Sequence, residues 1–423
     1  MPYTGARFAD SRLRRRAAAE RPGESADTVV KTTDRSRVLM VCELDGYANG
    51  VKPVEVVRFL RNRGHEVTVA NTYYLSRASS DSSSLASKLP RPGLRRAALY
   101  AVEAASRVFT RGWRFGRRRL FYHLFLANYR LRRSILRSSL PLDDFDMVIC
   151  EHPRDAGVLT VPTSARTLYD CPTPFADEMY FENSLTERQR DKLRRIEADL
   201  FESVDYLSFA WETYAGYAMD HYGISGRNLM QLNWGCTPAA ERAEFSDPPR
   251  VICLSSLSSN FINLPLLSRL TKLYPHIDVY GGPPPDPALG LNYLGWAPPT
   301  ILRDYQLGLI TSSKDPLRQN GFSAKHMHYI SYGLPVLVPV WRHHMHLLRG
   351  SVGYDENAFP SVVRELSNEE EWRRVSDEAY AQAQRLTWEQ TLRPLDAVLS
   401  GGKPHAGDQA EPGNEHQQGD NGG

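Results

Sequence analysis

Two short apolar runs flank an amphipathic segment near the start of the chain. Val38–Cys42 and His65–Ala70 have the length and composition of buried strands. Between them, Pro53–Asn62 places its apolar residues on one face of a helix, with a proline in the first turn, where proline is tolerated. Gly64 ends that helix. A strand, a helix and a second strand in this order predict a parallel sheet and therefore an α/β fold.

The alternation of strand and helix continues along the chain in two sets. The first set has predicted strands at Asp146–Cys150, Ala165–Asp170, Tyr206–Phe209 and Leu229–Asn233, and helices at Leu185–Ser203 and Glu212–Tyr222. The second set has predicted strands at Val251–Leu254, Ile277–Tyr280, Leu291–Leu294, Leu307–Ile310 and Val336–Pro339, and helices at Leu264–Tyr274, Pro299–Arg303 and Ala324–Tyr332. Two closing helices are predicted at Asn368–Arg385 and Trp388–Leu399. We therefore expect two Rossmann-like domains that face a cleft, which is a common place for a small-molecule site.

The same patterns divide the chain into predicted parts. They are a disordered tail (1–36), a first Rossmann-like domain (37–240) with a basic amphipathic insertion (85–140), a second Rossmann-like domain (246–386), a crossover helix (387–400) and a second disordered tail (401–423). The tails are polar and aperiodic, and the second one lacks aromatic residues, so neither can bury enough apolar surface to fold.

Bulk composition narrows the compartment and the class of ligand. A net charge of +3 over 423 residues gives no global reason to bind nucleic acid. The five cysteines are scattered and lack the spacing of a zinc site or a disulfide framework, which favours a reducing cytosol. No stretch is long enough to span a bilayer, and the N-terminus lacks the apolar region of a signal peptide. We therefore expect a cytoplasmic protein.

The insertion at residues 85–140 combines many arginines with aromatic side chains. Its members include Arg114, Arg117, Arg118, Arg119, Trp113 and Phe121. Basic and aromatic groups on amphipathic helices suit an anionic membrane surface, so we predict peripheral docking on the inner face of the cell membrane. One alternative is a solvated pair of helices that covers the sheet. Another is a nucleic-acid surface, although no nucleic-acid module accompanies the charge.

The segment Gly321–Val336 has the pattern of a phosphate-binding helix start. Ser323 is well suited to be the N-cap, and the first-turn amides, beginning at Ala324, would point at an anion with Lys325 beside them. His328 lies three residues further on and so shares a helix face with Lys325. Gly333 supplies the left-handed turn that ends the helix. The alternative is a core helix in which the lysine and the histidine are incidental.

This segment resembles the donor-binding helix of GT-B glycosyltransferases. The pattern of that family is matched in register by Lys325, Tyr329, Gly333, Pro335 and Val336. Weaker similarities in the family's order extend over nearly all of residues 37–400, including Arg63–Thr68, Leu168–Asp170, Asn233–Gly235, Gly281–Pro283 and Tyr293–Gly295. The resemblance implies that the first domain binds the acceptor and the second the nucleotide-sugar. It also implies that the Trp388 helix crosses back to the first domain.

The same resemblance assigns roles within the segment. Lys325 would bind the donor diphosphate, and His328 would stand where the family often has a glutamate that holds the ribose. Many retaining members have two glutamates eight positions apart, and here those positions are Asn320 and His328. With this departure the chain looks more like the inverting glucuronosyltransferase of xanthan assembly, which acts on a lipid-linked sugar. We therefore expect an inverting hexosyl- or glucuronosyltransferase with a UDP-linked donor and a lipid-linked or polysaccharide acceptor.

An inverting transfer needs a general base, and a carboxylate beside the cleft would serve. The candidates lie at the predicted carboxyl ends of first-domain strands, where α/β sheets bind ligands, and are favoured in the order Asp170, Glu151 and Asp45. Asp177 and Glu178 are further possibilities. The alternative for each is a helix cap or a surface acid.

Further donor contacts are expected where second-domain strands end in small residues. One is Gly282, for which a simple turn is the alternative, and the other is Ser256 with its neighbours Ser255 and Ser258. His343, His344 and His346 lack the helical spacing of metal ligands, so neither a metal nor a cofactor is expected besides the donor. Two other functions suit the fold: a sugar-nucleotide epimerase, and a non-catalytic protein that binds a nucleotide-sugar.

Overall fold

The computed structural model describes residues 35–43, 51–72, 97–99, 101–102, 117–182, 184–255, 257, 261–342, 345 and 348–401, with the backbone alone at residues 117–119. Almost all of both predicted tails lies outside these residues, since only residues 35, 36 and 401 of them are described. Most of the basic insertion before residue 117 and the loop that contains Asp45 also lie outside them.

The first part of the chain forms a parallel sheet flanked by helices, which we call the first lobe. Its elements are β1 (Arg37–Cys42), α1 (Val51–Asn62), β2 (Glu66–Asn71), α2 (Arg117–Ser139), β3 (Met147–Cys150), β4 (Arg166–Cys171), α3 (Phe175–Phe181), α4 (Glu187–Ser203), β5 (Tyr206–Phe209) and α5 (Glu212–Tyr222). The strand order is β2-β1-β3-β4-β5, and every pairing is parallel.

The second part of the chain forms another parallel sheet with its own helices, which we call the second lobe. Its elements are β6 (Val251–Leu254), α6 (Leu264–Leu273), β7 (Ile277–Tyr280), β8 (Asn292–Tyr293), β9 (Leu307–Leu309), α7 (Pro316–Gln319), α8 (Ala324–Ser331), β10 (Val336–Pro339), β11 (Ser351–Tyr354), α9 (Phe359–Glu365) and α10 (Glu369–Arg385). The strand order is β11-β10-β9-β6-β7-β8, again parallel throughout. The order reverses between β6 and β9, and ligands of such sheets bind beyond the carboxyl ends of strands at that point.

The sheet of the first lobe is buried on both faces. On one face, β1 side chains such as Val38 and Met40 pack with α1. On the other face, Leu39 and Val41 share a core with residues of α2, α4 and α5. Because both faces are covered, these strands appear in the sequence as continuous apolar runs instead of alternating ones.

The chain ends in two short helices, α11 (Trp388–Thr391) and α12 (Pro394–Leu399), where the sequence predicted one. Pro394 causes the break, because it has no N–H to continue the helical hydrogen bonds and is suited to the first turn of a new helix. Leu392 and Leu395 pack in the same core as β1 and α1. The Arg166 guanidinium of β4 donates to the backbone carbonyl of Val398. The predicted return of the closing segment to the first lobe is therefore confirmed.

Several other element predictions differ from the structure. Residues 229–233 form only an isolated bridge with β5. The Leu232 amide donates its hydrogen bond to the Ser208 hydroxyl and not to a backbone carbonyl of β5, so the strand pairing does not continue. The predicted helix Pro299–Arg303 is a 3-10 helix over Pro299–Asp304. Strand β11 and helices α3, α7 and α9 were not predicted, because each has seven residues or fewer and so little periodicity.

The two lobes are joined by two passages of the chain that run side by side. The Cys236 amide donates to the Leu386 carbonyl at 2.8 Å, and the Trp388 amide donates to the Cys236 carbonyl at 3.3 Å. Cys236 and Thr387 thus form a parallel bridge between the outgoing and the returning chain.

A segment of the second lobe also inserts into the first. Leu317 of α7 is fully buried and belongs to the apolar core of the first lobe. Phe322 stacks on Trp211 with ring centroids 4.8 Å apart, and the Thr213 hydroxyl donates to the Asn320 carbonyl at 2.5 Å. Residues 317–322 are therefore fixed by contacts with α5 and the residues that precede it. No helix within the described residues is both long enough and apolar enough to traverse a bilayer.

Candidate functional site

Tyr329 fixes helix α8 across the carboxyl edge of the second sheet. Its ring covers Gly308 of β9, where an added Cβ would lie 2.4 Å from the ring. Its hydroxyl accepts from the Leu254 amide at 2.8 Å and donates to the Leu309 carbonyl at 3.3 Å. The helix ends, as predicted, at Gly333, whose φ of 74° is left-handed. These contacts place the start of α8 beside the point where the strand order reverses.

Lys325 lies one turn before Tyr329 and reaches the end of β6. Its Nζ donates to the Ser255 hydroxyl at 2.9 Å, and Ser255 is buried. Burial lowers the pKa of Lys325, and the nearby guanidinium groups of Arg342 and Arg318 lower it further. A lysine whose pKa is lowered in this way is one that an anion would stabilise in its charged form.

Arg318 of α7 is the first of two cations in this region that the sequence patterns did not reveal. It is 8% exposed, and its guanidinium lies 3.3 Å from the centroid of the Phe261 ring. Its Nε and Nη2 atoms make no hydrogen bond with any described residue. A four-residue helix gives no periodic signal, so nothing in the local sequence marked this arginine.

Arg342 is the second cation that was missed. It follows the carboxyl end of β10 and is 3% exposed. One of its terminal nitrogens donates to the Gly321 carbonyl, while its Nε has no partner among the described residues. Burial lowers the pKa of Arg342 to about 10, with Arg318 contributing repulsion. Its position just beyond a predicted strand was the signal that could have identified it.

We call Lys325, Arg318 and Arg342 the cation cluster. Arg318 and Arg342 lower the pKa of Lys325, Arg318 also lowers that of Arg342, and both guanidinium groups retain unfilled donors. Buried charges are normally paired, because an unpaired one costs several kcal/mol. The cluster therefore has the chemistry of a site for an anion with several oxygens, such as a diphosphate.

Glu178 of α3 faces this cluster from the first lobe. Its Oε1 lies 3.6 Å from Nη2 of Arg318, which is within ion-pair range and too far for a hydrogen bond. Burial raises the pKa of Glu178 to about 7, Arg318 opposes that rise, and Glu182 adds to it. Two further acids act on the cluster electrostatically, Glu182 on Arg318 and Asp315 on Arg342. None of the three acids has a hydrogen bond to the unfilled guanidinium donors.

The start of α8 adds backbone donors to the same place. Ser323 is the N-cap residue, as predicted, but its hydroxyl makes no capping hydrogen bond. The first-turn amides of Ala324 and Lys325 donate to no acceptor in the described part of the chain. A helix N-terminus with free amides and an adjacent lysine is suited to bind phosphate oxygens.

The remaining predicted donor residues lie around this edge with varied partners. Asn320 ends α7, where its side chain donates to the Pro316 carbonyl at 2.9 Å. His328 is half-buried, and burial lowers its pKa, so it is neutral near pH 7. Gly282 is exposed, and its carbonyl accepts from the Tyr293 hydroxyl at 2.6 Å. Ser256 lies outside the described residues.

Asp170 and Glu151 lie beside each other at the carboxyl edge of the first sheet. Asp170 is 2% exposed and forms an ion pair with Lys52 of α1 at 2.8 Å. Lys52 also donates to the Leu232 carbonyl at 2.7 Å, so the ammonium joins α1 to two parts of the first lobe. Burial raises the pKa of Glu151, and the Asp170 carboxylate adds to that rise. The third candidate base, Asp45, is not among the described residues.

A second polar cluster occupies the other face of the same edge. The ligand atoms of Glu43, His152 and Asp155 lie within 4.8 Å of one another, as in a metal site. Arg132 of α2 is fully buried among them, 3.0 Å from Glu43 and 2.9 Å from Asp155. The guanidinium supplies the positive charge that a metal ion would bring, so this cluster is an ion-pair network.

Little of the predicted membrane surface falls within the described part of the chain. Trp113 and Arg114 lie outside it, and only the backbone is described at Arg117, Arg118 and Arg119. Phe121 is half-buried against the core formed by Tyr122, Phe125 and neighbouring residues of α3 and α4.

Comparisons with known proteins bear on the fold. No family model matches this chain, and no curated protein sequence matches it. Among solved structures, sucrose-phosphate synthase from Thermosynechococcus elongatus matches 86% of this chain and 98% of its own, with a TM-score of 0.59 at 10% identity. A UDP-forming trehalose-phosphate synthase from Burkholderia xenovorans matches 86% of this chain and 98% of its own, with a TM-score of 0.59 at 11% identity. The Anabaena protein HepE, crystallised with UDP, matches 86% of this chain and 100% of its own, with a TM-score of 0.56 at 11% identity.

At such low identity these matches show the fold alone. Two parallel Rossmann-like sheets, each covered by helices, with a closing segment that returns to the first lobe, are the arrangement of GT-B proteins. The fold predicted from the sequence is therefore confirmed.

Proposed function

We propose that this protein is a glycosyltransferase that moves a sugar, as a hexosyl or glucuronosyl group, from a UDP-linked donor to a lipid-linked or polysaccharide acceptor. The observation that carries the proposal is the cation cluster at the reversal point of the second sheet. Its guanidinium groups retain unfilled donors, and the amides at the start of α8 are free among the described residues. The Anabaena protein, which has a similar fold, was crystallised in complex with UDP.

The cluster suits the charge changes of the reaction. When the bond between the sugar and the diphosphate breaks, negative charge grows on the leaving phosphate. Cations and oriented amides that are already in place stabilise that charge without reorganisation. Lys325, Arg318 and Arg342 can supply this charge themselves, so the reaction as proposed requires neither a metal ion nor a cofactor.

The proposed stereochemistry is inversion. By the resemblance to GT-B enzymes, Asn320 and His328 occupy the positions at which many retaining members have glutamates. Burial lowers the pKa of His328, and the Asn320 side chain donates to the Pro316 carbonyl. Neither side chain can provide an anionic carboxylate near the sugar. Inversion by direct attack of the acceptor requires only a base on the first lobe.

The donor site is tested by measuring the melting temperature of the protein with and without UDP or UDP-glucose. A ligand that binds the native state raises its melting temperature, and we expect that rise for the wild-type protein. Lys325→Ala should weaken UDP binding about 10- to 100-fold, because a charge-assisted contact contributes roughly 1.5–3 kcal/mol. Lys272→Ala, at an exposed lysine of α6, is the matched control and should bind like the wild type. Equal protection of the wild type and Lys325→Ala by UDP would remove the assigned role.

The proposed location is the inner face of the cell membrane, where a lipid-linked acceptor would be found. Helix α2 supports this part of the proposal, because Arg130, Arg133 and Arg137 are exposed on one of its faces. Arginines near an anionic surface each contribute about 1 kcal/mol of attraction.

A further inference from the structure

The contact between Glu178 and Arg318 joins the two lobes at the candidate donor site. Arg318 belongs to α7, and Glu178 belongs to α3, which begins shortly after the carboxyl end of β4. The Glu178 side chain is 18% exposed, whereas that of Asp170 is 3% exposed. The 3.6 Å separation leaves Nη2 of Arg318 without a hydrogen bond among the described residues.

We propose that Glu178 is the general base that removes the proton from the hydroxyl of the acceptor substrate. We also propose that the donor's diphosphate binds Arg318 in place of Glu178 and so frees the Glu178 carboxylate. This inference rests on the proposed glycosyl transfer. It places the base in α3, at a residue that the sequence offered only as a further possibility after Asp170, Glu151 and Asp45.

The other described carboxylates near the carboxyl edge of the first sheet are less available. Asp170 is ion-paired with Lys52 and is 2% exposed. Glu43 and Asp155 share the buried guanidinium of Arg132. Glu151 is 7% exposed and lies beside Asp170, so a bulky sugar hydroxyl has little room to reach it. Glu178 combines partial exposure with direct contact to a residue of the cation cluster.

The diphosphate exchanges partners with Glu178 in the proposed step. Phosphate oxygens fill the free Nε and Nη2 donors of Arg318, which are better hydrogen-bond sites than a contact at 3.6 Å. The Glu178 carboxylate then accepts the proton of the acceptor hydroxyl as its oxygen attacks the anomeric carbon. The new carbon–oxygen bond forms, the bond from that carbon to the phosphate oxygen breaks, and UDP departs with the bonding electron pair. The proton passes from Glu178 to solvent.

This arrangement gives donor binding and transfer opposite dependences on pH. Burial raises the pKa of Glu178 to about 7, Arg318 lowers it and Glu182 raises it. Binding of the diphosphate removes the help of Arg318 and adds a nearby anion, so the pKa rises further in the complex. Donor binding is therefore accompanied by proton uptake and weakens as pH rises through about 7. Transfer requires the carboxylate and increases with pH over the same range.

Isothermal titration of UDP-glucose, whose diphosphate keeps the same charge from about pH 6 to about pH 8, tests the exchange of partners. Wild-type affinity should fall about three- to tenfold across this range, as expected for two charges a few ångströms apart in a partly solvated site. Glu178→Gln should remove that trend and bind UDP-glucose more tightly at the higher pH. Glu182→Gln is the control: it removes one carboxylate four residues further along the chain and should keep the fall of UDP-glucose affinity with pH.

Release of UDP from UDP-glucose, UDP-N-acetylglucosamine and UDP-glucuronate, with octyl glycosides or water as acceptor, tests the base. Glu178→Gln should lower turnover about 10²- to 10⁴-fold and remove the rise with pH, whereas Glu182→Gln should change it less than about threefold. A Glu178→Gln variant with wild-type turnover would overturn the inference, as would one that loses UDP-glucose binding. If the wild type binds neither UDP nor UDP-glucose, the proposed function itself fails, and that result is distinct from either outcome.

Discussion

At the scale of single residues, the sequence predicted Lys325 and Gly333 because both lie in one contiguous segment with a helical period. Arg318, Arg342 and Glu178 come from three other places in the chain and meet only after folding. The sequence offered Glu178 only as a further possibility for the base, and no local pattern distinguishes Arg318 and Arg342 from the many arginines on the surface. Asp170 was predicted from its position at a strand end, and that position also allows it to pair with Lys52, 118 residues away.

The Asp170→Asn variant separates a structural role from a catalytic one. Loss of the carboxylate leaves the Lys52 ammonium buried without its counter-ion, so we expect unfolding in urea to require about 3–5 kcal/mol less free energy. The double variant Lys52→Met, Asp170→Val should recover much of that loss, because an apolar pair of roughly similar volume needs no counter-ion. Asp170→Asn with unchanged stability and abolished transfer would instead assign Asp170 as the base.

At the scale of elements, the composition of α2 predicts its positive charge but not the burial of Arg132. The abundance of arginines predicted a basic surface, but one of them, Arg132, is fully buried in an ion-pair network. Arg132 is buried because of its position around the helix axis: Phe125, Asn128 and Leu136 are buried on the same face of the helix. Arg130, Arg133 and Arg137 fall on the opposite face and are exposed. The sequence therefore predicted the helix and its charge, while the burial of Arg132 depends on acids contributed by distant strand ends.

Substitution of the exposed arginines of α2 tests membrane docking. The triple variant Arg130→Gln, Arg133→Gln, Arg137→Gln should bind vesicles of phosphatidylcholine and phosphatidylglycerol about 10- to 100-fold more weakly than the wild type at low salt. Vesicles of phosphatidylcholine alone should bind neither protein well. The matched control replaces Arg373, Arg374 and Arg385, which are exposed on α10 of the second lobe. Equal co-sedimentation of the wild type and the α2 variant would contradict electrostatic docking by this face.

At the scale of the whole molecule, the two lobes were predictable because their strands recur with the period of α/β units. The insertion of Leu317 into the core of the first lobe was not, since a leucine in a four-residue helix next to a predicted cleft gives no sign of which lobe buries it. That insertion places Arg318, the next residue, against Glu178. The geometry of the cation cluster therefore depends on contacts between the lobes.

The Leu317→Ala variant tests that dependence. Removal of a buried leucine should lower the free energy of unfolding by about 2–5 kcal/mol and, by loosening α7, should also weaken UDP binding. Leu267→Ala in α6 removes an equally buried leucine from the core of the second lobe and is the control. We expect Leu267→Ala to lose stability and to keep its affinity for UDP. A Leu317→Ala variant that binds UDP like this control would show that the cluster is held by the second lobe alone.

The paired passages of the chain at Cys236 and Thr387 also restrict how the lobes can move. A single connecting segment acts as a swivel, about which two bodies can turn in any direction. Two segments that are joined side by side by backbone hydrogen bonds bend readily about one axis and resist twisting. Any opening between the lobes should therefore follow a single arc.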